Sequence, residues 1–298
     1  MRGREKGSQM SLEEPVFRPP SEAESFLLQV TVGCSSDTCD FCGMYKMKTF
    51  RVKDPAEVSS DIDHYARRYP ATRRVFLMDG DALVLSNSKL IPILDKLGQA
   101  FPQLTRISSY ANGSNVTRKT DAELAELAFR KLTLIYMGLE SGSQAVLDRC
   151  KKASCVREMV EGVRRAEAAR IRSSVMVLLG LGGRKHSAEH IRGTIEALNA
   201  MQPRYLSFLS LMIVPGTPLA GILLQGGFEE LSAKELLREC YELVGGLELQ
   251  HSVVRSNHAS NYLPLEGSLP KDKPALLQAL KAALDGKTDL RPGFARGL

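Results

Sequence analysis

The sequence contains no apolar run near the ~20 residues that a membrane-spanning helix requires, which excludes such a helix. Residues 1–25 have no apolar core of the kind found in secretory signals, so disulfide pairing is not expected. Tryptophan, internal repeats and low-complexity segments are also absent. We therefore expect a soluble, cytoplasmic protein without disulfides.

What the chain does contain is 298 residues, 43% of them hydrophobic, enough for one large core or for a barrel with an appendage. Its net charge of +6 reflects 40 basic and 34 acidic residues. Such a mixed surface, with its basic residues in pairs, is typical of solvated helix faces rather than of a nucleic-acid patch. We therefore expect neither a membrane nor a nucleic acid as partner.

Three cysteines occur within nine residues, at Cys34, Cys39 and Cys42, shortly after an apolar stretch. Thiolates on a loop suit zinc or an iron–sulfur cluster. Closed structural sites use four ligands, so a set of three leaves one metal position open for chemistry. Two alternatives stay open at this point: a zinc site, for which His64 is the only nearby histidine, and inert thiols.

Short apolar runs alternate with amphipathic helical patterns, which is typical of βα units around a parallel sheet. Six such units predict an α/β fold, a partial (β/α)6 TIM-like barrel with a C-terminal α/β extension. We predict a flexible leader over 1–20, a barrel core over 21–221 and an extension over 222–298 that closes the barrel. The predicted strands are 26–32, 74–78, 104–109, 132–138, 173–180, 204–213 and 251–256, and predicted helices include 155–170, 186–200 and 274–285.

Candidate binding groups follow the predicted strands, where parallel barrels carry their functional residues. The second strand ends in Asp79-Gly80-Asp81, which a simple Asp-Gly turn would also explain. The fourth runs into Glu140-Ser141-Gly142, and Lys152 follows twelve residues after Glu140. The fifth runs into Gly180-Leu181-Gly182-Gly183, where the missing side chains let the backbone approach a ligand.

In this order along the chain, the motifs resemble those of the radical S-adenosylmethionine (SAM) superfamily, in its coproporphyrinogen-oxidase-like and Elongator-like branch. The resemblance covers roughly residues 26–220. Phe41 and the segment Gly43-Met44-Tyr45-Lys46 around the third cysteine also fit the family. The cysteine motif is a variant, C-x4-C-x2-C, because four residues rather than the usual three separate Cys34 from Cys39.

The resemblance implies that the three cysteines hold a 4Fe–4S cluster whose fourth iron binds the amino and carboxylate groups of SAM. The implied protein is a radical SAM enzyme of unknown substrate. Its reduced cluster cleaves SAM to a 5′-deoxyadenosyl radical, which abstracts a hydrogen atom from the substrate. The electron would come from an external one-electron reductant of the flavodoxin or ferredoxin type. The protein positions the cofactor, and the cofactor breaks the bond.

The remaining implied contacts are with SAM itself. The loop after the second strand corresponds to the family's Gly-Gly-Glu motif, which binds the SAM amino group. After the fourth strand, an acid would contact the ribose and a lysine the carboxylate. The fifth-strand loop would approach the adenine. The implied SAM-binding residues are Asp79, Gly80, Asp81, Glu140, Lys152, Gly180 and Gly182.

The polar segment 255–262 predicts one of two structures. It is either a flap over the barrel mouth, with His258 as acid, base or ligand, or a hydrogen-bonded turn that caps the barrel. Cys150 and Cys155 are too few for a second cluster, so we expect isolated thiols. Two functional alternatives stay open. One is a non-enzymatic iron–sulfur or zinc protein that carries electrons or metal, and the other is an RNA-modifying radical SAM enzyme.

Overall fold

The structure is a computed structural model that describes residues 11–297, a sheet covered by helices. The strands are β1 Phe26–Gln29, β2 Thr31–Val32, β3 Arg51–Val52, β4 Arg74–Met78, β5 Arg106–Tyr110, β6 Leu132–Glu140, β7 Arg172–Leu179, β8 Tyr205–Ser210, β9 Val253–Ser256 and β10 Leu265–Ser268. The helices are α1 Pro55–Arg68, α2 Asn87–Ala100, α3 Gly113–Thr117, α4 Asp121–Phe129, α5 Gln144–Arg149, α6 Val156–Ala168, α7 Gly183–Met201, α8 Pro218–Leu224, α9 Ala233–Gly246 and α10 Lys273–Leu284.

The main sheet has eight strands in the order β1-β4-β5-β6-β7-β8-β9-β10. Every neighbouring pair is parallel except β9 and β10, which are antiparallel. Within residues 11–297, β1 and β10 each have one partner in this sheet, so it stays open at both edges. The predicted α/β class and partial TIM-like barrel are confirmed. The predicted strand 26–32 is divided into β1 and β2, and the antiparallel pairing of β2 with β3 in a separate small sheet was not predicted.

Local sequence accounts for where the helices begin. Asp54 caps α1 by accepting a hydrogen bond from Ala56 N (2.7 Å), and a proline occupies the first position. Capping boxes start α4 at Thr120 and α9 at Ser232. Because each cap involves only a few neighbouring residues, the start of these helices can be predicted from the sequence.

Successive side chains of a strand point to opposite faces of the sheet, and in this protein both faces are buried. In β4, Val75 and Leu77 belong to the large core between sheet and helices. Phe76 and Met78 belong to a second cluster, on the face turned away from the helices. We call this second group the inner cluster; its other buried members are Leu134 and Tyr136.

The segment that precedes β1 packs against the inner cluster through Leu12 and Val16. Glu22 is fully buried and accepts hydrogen bonds from Tyr136 Oη (2.6 Å) and Arg106 Nη2 (2.8 Å). The flexible leader predicted over 1–20 lies partly outside the described residues, in 1–10. Over 11–20, Leu12 and Val16 have an apolar surface on which to pack, and a flexible leader there stays a prediction.

After residue 222 the chain continues the same architecture. β9 extends the sheet beyond β8, and α9 packs against both α7 and α10. The proposed boundaries of core and extension stay a prediction. None of the helices within residues 11–297 is long and apolar enough to cross a membrane.

Candidate cofactor site

The three cysteines lie on the loop between β2 and β3, beyond the C-terminal end of β1. Cys39 is buried, and Cys34 and Cys42 are half-buried. The loop after β4 lies directly against them: Gly80 N donates to Gly33 O at 2.9 Å. A Cβ atom on Gly80 would lie 2.7 Å from Cys34 Sγ, so this approach requires glycine.

Two other segments hold the cysteine loop in place. Asp40 N donates to Cys150 O (2.8 Å), and Thr38 Oγ1 donates to Lys151 O (2.7 Å). On the opposite side, Leu219 N donates to Asp40 O (3.0 Å). The loop is therefore bound to the end of α5 and to the start of α8.

Burial raises the pKa of the Cys34 thiol to about 11 and also raises the pKa of Cys39. The nearby Lys152 acts in the opposite direction on both. Without metal these thiols are therefore protonated near neutral pH, and metal binding must release their protons.

The donor set fits an iron–sulfur cluster. In residues 11–297, no three His, Cys, Asp or Glu side chains meet in a way that would hold a single metal ion. A 4Fe–4S cluster binds each thiolate at a different iron atom, so its ligands need not converge on one point. His64, the alternative zinc ligand, lies within α1.

The Asp79 side chain supports the cysteine loop. Its fully buried carboxylate accepts hydrogen bonds from Gly33 N (2.9 Å) and Gln29 Nε2 (3.2 Å). It also forms an ion pair with Lys48 Nζ at 3.2 Å. These contacts fix the point at which the chain leaves β2.

The Asp81 carboxylate is likewise bound inside the protein. It accepts hydrogen bonds from Leu83 N (2.9 Å), Asn112 N (3.1 Å) and Asn115 Nδ2 (2.6 Å). Burial raises its pKa to about 6, although these hydrogen bonds oppose the shift. Any contact of this loop with the SAM amino group is therefore expected from backbone carbonyls rather than from this side chain.

Glu140 and Lys152 come together at the end of β6. Their Oε1 and Nζ atoms are 3.7 Å apart, and Glu140 has a left-handed backbone with φ of 60°. Burial raises the pKa of Glu140, which Lys152 opposes. Burial also opposes the charge on Lys152, but Glu140, Cys39 and Cys34 outweigh it and raise the Lys152 pKa. The cation therefore faces both the acid and the cysteine loop.

The loop after β7 packs closely on its neighbours. Gly180 has φ of 84°, and a Cβ there would lie 2.8 Å from Leu236 Cδ2 of α9. A Cβ on Gly182 would lie 2.7 Å from His186 O. Both glycines thus have a packing role within the protein, and their predicted approach to adenine stays a prediction.

His258 lies in a hydrogen-bonded turn after β9. Its Nδ1 atom is 2.9 Å from Ser260 Oγ, and Arg291 Nη1 donates to His258 O at 3.0 Å. Asn261 Nδ2 donates to Phe208 O at 2.7 Å, which attaches the turn to β8. Burial and the Arg291 charge lower the His258 pKa. This geometry resembles the second of the two predicted structures, a turn, and a catalytic role for His258 stays a prediction.

Buried polar side chains lie between the loops after β6 and β7, and the sequence interpretation missed them. Ser141 Oγ lies 2.9 Å from His190 Nδ1. His190 Nε2 faces Glu239 Oε1 at 3.5 Å, but within residues 11–297 it makes no hydrogen bond. Glu239 accepts hydrogen bonds from Gly180 N (2.5 Å) and from the Ser187 hydroxyl. We call Ser141, His190 and Glu239 the buried relay.

One sequence signal for the relay exists. Glu239 interrupts the apolar stripe that Leu236, Cys240 and Leu243 form on α9. A carboxylate in such a stripe is a buried acid that needs a partner. The identity of that partner depends on the packing of α7, which sequence spacing does not reveal.

A family model, that of the Radical SAM superfamily, matches residues 28–198, more than half of the chain. The chain belongs to the radical SAM superfamily. The resemblance drawn from its motifs is thereby confirmed, as is its assignment to an enzyme family whose cofactors are a 4Fe–4S cluster and SAM. The individual binding residues stay predictions.

Solved structures share the fold of this radical SAM protein at low sequence identity. TsrM, a radical SAM methyltransferase from Kitasatospora setae with cobalamin and a [4Fe–4S] cluster bound, has 19% identity and a TM-score of 0.53, covering 67% of this chain and 37% of TsrM. Coproporphyrinogen III oxidase (HemN) from Escherichia coli has 13% identity and a TM-score of 0.54, covering 74% of this chain and 51% of HemN. Methylornithine synthase (PylB) has 13% identity and a TM-score of 0.52, covering 90% of this chain and 83% of PylB.

The chain therefore spans between about a third and about a half of the length of TsrM and HemN. No curated protein sequence matches it. At these sequence identities, the similarity to the solved structures shows a shared fold alone.

Proposed function

We propose that this protein is a radical SAM enzyme that holds a 4Fe–4S cluster through Cys34, Cys39 and Cys42 and acts on a substrate not yet known. The observation that carries the proposal is the cysteine loop beside the Glu140–Lys152 ion pair, at the C-terminal edge of one parallel sheet. When bound, the cluster and SAM supply a one-electron cleavage of SAM that gives a 5′-deoxyadenosyl radical for hydrogen abstraction.

The chain's own residues would bind and orient SAM. Lys152 would pair with the SAM carboxylate as a charge-assisted contact, with looser orientation than an arginine fork would give. Glu140 would accept hydrogen bonds from the ribose hydroxyls. The backbone carbonyls at 79–81 would accept from the amino group.

Apolar packing beside the cysteine loop would limit the access of water. Val146, Cys150 and Leu181 form a buried cluster against which Phe41 packs. Exclusion of water strengthens the electrostatic contacts that orient a bound ligand. An external one-electron reductant, of the flavodoxin or ferredoxin type, would supply the electron.

Metal analysis tests the ligand assignment. Anaerobically reconstituted wild type should contain about four iron and four sulfide per chain, the content of one 4Fe–4S cluster. The variant with Cys34, Cys39 and Cys42 all changed to Ala should lose this content. Cys155→Ala, which removes a half-buried thiol elsewhere, is the control and should keep it. Full retention of iron by the triple variant would contradict the assignment.

Release of 5′-deoxyadenosine separates an enzyme from an electron or metal carrier. With a strong reductant and SAM but no substrate, the reconstituted protein should release 5′-deoxyadenosine slowly. A carrier would be reduced and reoxidised without consuming SAM. Reconstituted protein that neither binds nor cleaves SAM would contradict the enzyme proposal.

A further inference from the structure

The His190–Glu239 pair lies deep in the core, with His190 0% and Glu239 1% exposed. Burying two titratable groups costs free energy, and replacing a buried polar pair by apolar residues of similar volume is often neutral or stabilising. The pair is therefore a weak source of stability. Its contacts with the loops after β6 and β7 indicate its role better than its contribution to stability does.

One end of the relay fixes the loop after β6. His190 Nδ1 bonds to Ser141 Oγ, and that same oxygen accepts from Ser143 N at 3.1 Å. Ser141 directly follows Glu140, whose backbone is left-handed and uncommon for a non-glycine residue. The relay thus holds the chain on the C-terminal side of the proposed ribose-binding acid.

The other end fixes the loop after β7. Glu239 Oε1 accepts from Gly180 N at 2.5 Å, at a residue whose backbone is also left-handed. Burial raises the pKa of Glu239 to about 7 and lowers that of His190 to about 4. His190 is therefore neutral near physiological pH. A neutral ring with Nδ1 against a serine can act as a fixed strut between α7 and the β6 loop.

A single face of α7 contacts both loops. Ser187, His190 and Thr194 are spaced by three and four residues, so they lie on one side of the helix. Ser187 bonds to Glu239, and Thr194 Oγ1 accepts from Gly142 N at 2.9 Å. The helix therefore sets the position of one loop relative to the other.

From this geometry we propose that His190 and Glu239 are positioning residues, which hold Glu140 and the Gly180 backbone in the arrangement that binds the ribose and adenine of SAM. This inference rests on the proposed function. It adds a role for two buried side chains that are not among the predicted SAM-binding residues.

Hydrogen exchange tests the loop ordering without any cofactor. In the metal-free protein, His190→Ala and Glu239→Ala should speed amide exchange of peptides over 138–146 and 178–184, roughly tenfold or more in the loops. Cys240→Ala is the matched control, because it removes a buried side chain at the next position of α9, outside the relay. Unchanged exchange in both loops would overturn the proposal.

SAM affinity of the reconstituted protein tests the link to binding. Glu239→Ala should raise the SAM dissociation constant roughly five- to tenfold, the effect of one lost hydrogen bond. Glu239→Gln should restore affinity to within about twofold, because an amide oxygen still accepts from Gly180 N. Cys240→Ala should bind like wild type.

The outcomes separate the two proposals. Wild-type affinity in Glu239→Ala, or failure of Glu239→Gln to restore binding, overturns the positioning role. If wild type itself does not bind SAM, the proposed function fails, while the exchange experiment still decides whether the relay orders the loops.

Discussion

At the residue scale, the absence of a side chain at Gly138 determines the position of the Glu140 carboxylate. A Cβ on Gly138 would overlap Glu140 Oε1 and would lie 3.6 Å from Lys152 Nζ. The Glu140 carboxylate therefore folds back over its own strand, in the space that any other residue at 138 would fill. The β6–β7 register shifts at the same point.

Gly138→Ala should displace the Glu140 carboxylate and weaken SAM binding roughly tenfold, with little effect on folding, because the displaced group is the end of a flexible side chain. Gly98→Ala is the control, because apart from the neighbouring helix backbone no atom of residues 11–297 lies within 4 Å of its Cβ position. It should leave SAM affinity unchanged. Isothermal titration of the reconstituted proteins measures both. Equal affinity in Gly138→Ala and wild type would show that the carboxylate position does not matter for binding.

Direct removal of the acid gives a second test at this scale. Glu140→Ala should cost about 1.5–3 kcal/mol of SAM binding free energy, ten- to a hundredfold in affinity, as expected for a hydrogen bond to a charged group. His258→Ala should have a smaller effect, because His258 bonds within its own turn. If the measured dissociation constants ranked the two variants in the opposite order, His258 rather than Glu140 would be assigned to SAM binding.

At the element scale, close packing of α7 on the loop after β6 depends on two facing glycines. A Cβ on Gly193 would lie 2.7 Å from Gly142 O, which is backbone and yields little. Thr194 Oγ1 also bonds to Gly142 N, so helix and loop meet without space for a methyl group. This contact brings His190 within reach of Ser141.

Gly193→Ala should therefore lower the free energy of unfolding by about 1–2 kcal/mol, the cost of overpacking less the gain in helix propensity. Gly245→Ala on α9 is the matched control, since among residues 11–297 outside its own helix the one atom near its Cβ position is Leu277 Cδ2 at 4.0 Å. It should be neutral or stabilising by up to about 1 kcal/mol. Urea unfolding of both variants decides. A stabilised Gly193→Ala would mean that the loop moves aside at no cost.

A feature could be predicted from the sequence where neighbouring residues determine it, and could not be predicted where residues distant in the chain determine it. The strand predicted over 74–78 matches β4, because apolar residues between turn signals define it. The hydrogen bonds of Asp81 and the position of Glu239 were not predictable, because their partners lie on other elements. The sequence motif identified the residues at the strand ends, and tertiary packing decided which of their side chains are hydrogen-bonded within the protein.

At the scale of the whole molecule, the sheet order brings distant segments to one edge. The cysteine loop follows β1, and Glu140 ends β6, so their proximity requires the curvature of the parallel sheet between them. The motif order therefore predicted that the cysteine loop and the end of β6 meet, and their binding roles stay predictions. It did not predict the packing of residues 11–20 against the inner cluster, because no local pattern marks a segment that fills the interior of a barrel.

The buried relay should also shape how the stability of the molecule depends on pH. Burial raises the pKa of Glu239 from 4.5 to about 7, so the folded protein keeps a proton that the unfolded chain has released. Stability must then fall as pH rises from 4.5 to 7. His190, with its pKa lowered to about 4, acts oppositely: its contribution is lost as pH falls below 6.5. The wild-type profile alone therefore partly hides both effects.

Comparison with Glu239→Gln isolates the acid, because His190 is present in both proteins and the amide mimics the protonated carboxyl. Relative to wild type, this variant should gain about 2–3 kcal/mol of unfolding free energy between pH 5 and pH 8. Urea unfolding of the metal-free proteins at both pH values measures the gain. Glu196→Gln, at an exposed position of α7, is the control and should follow wild type, because Glu196 does not contribute to the raised pKa of Glu239. Parallel profiles for wild type and Glu239→Gln would mean that Glu239 is ionised in the folded protein, and that His190 faces a charge rather than a neutral acid.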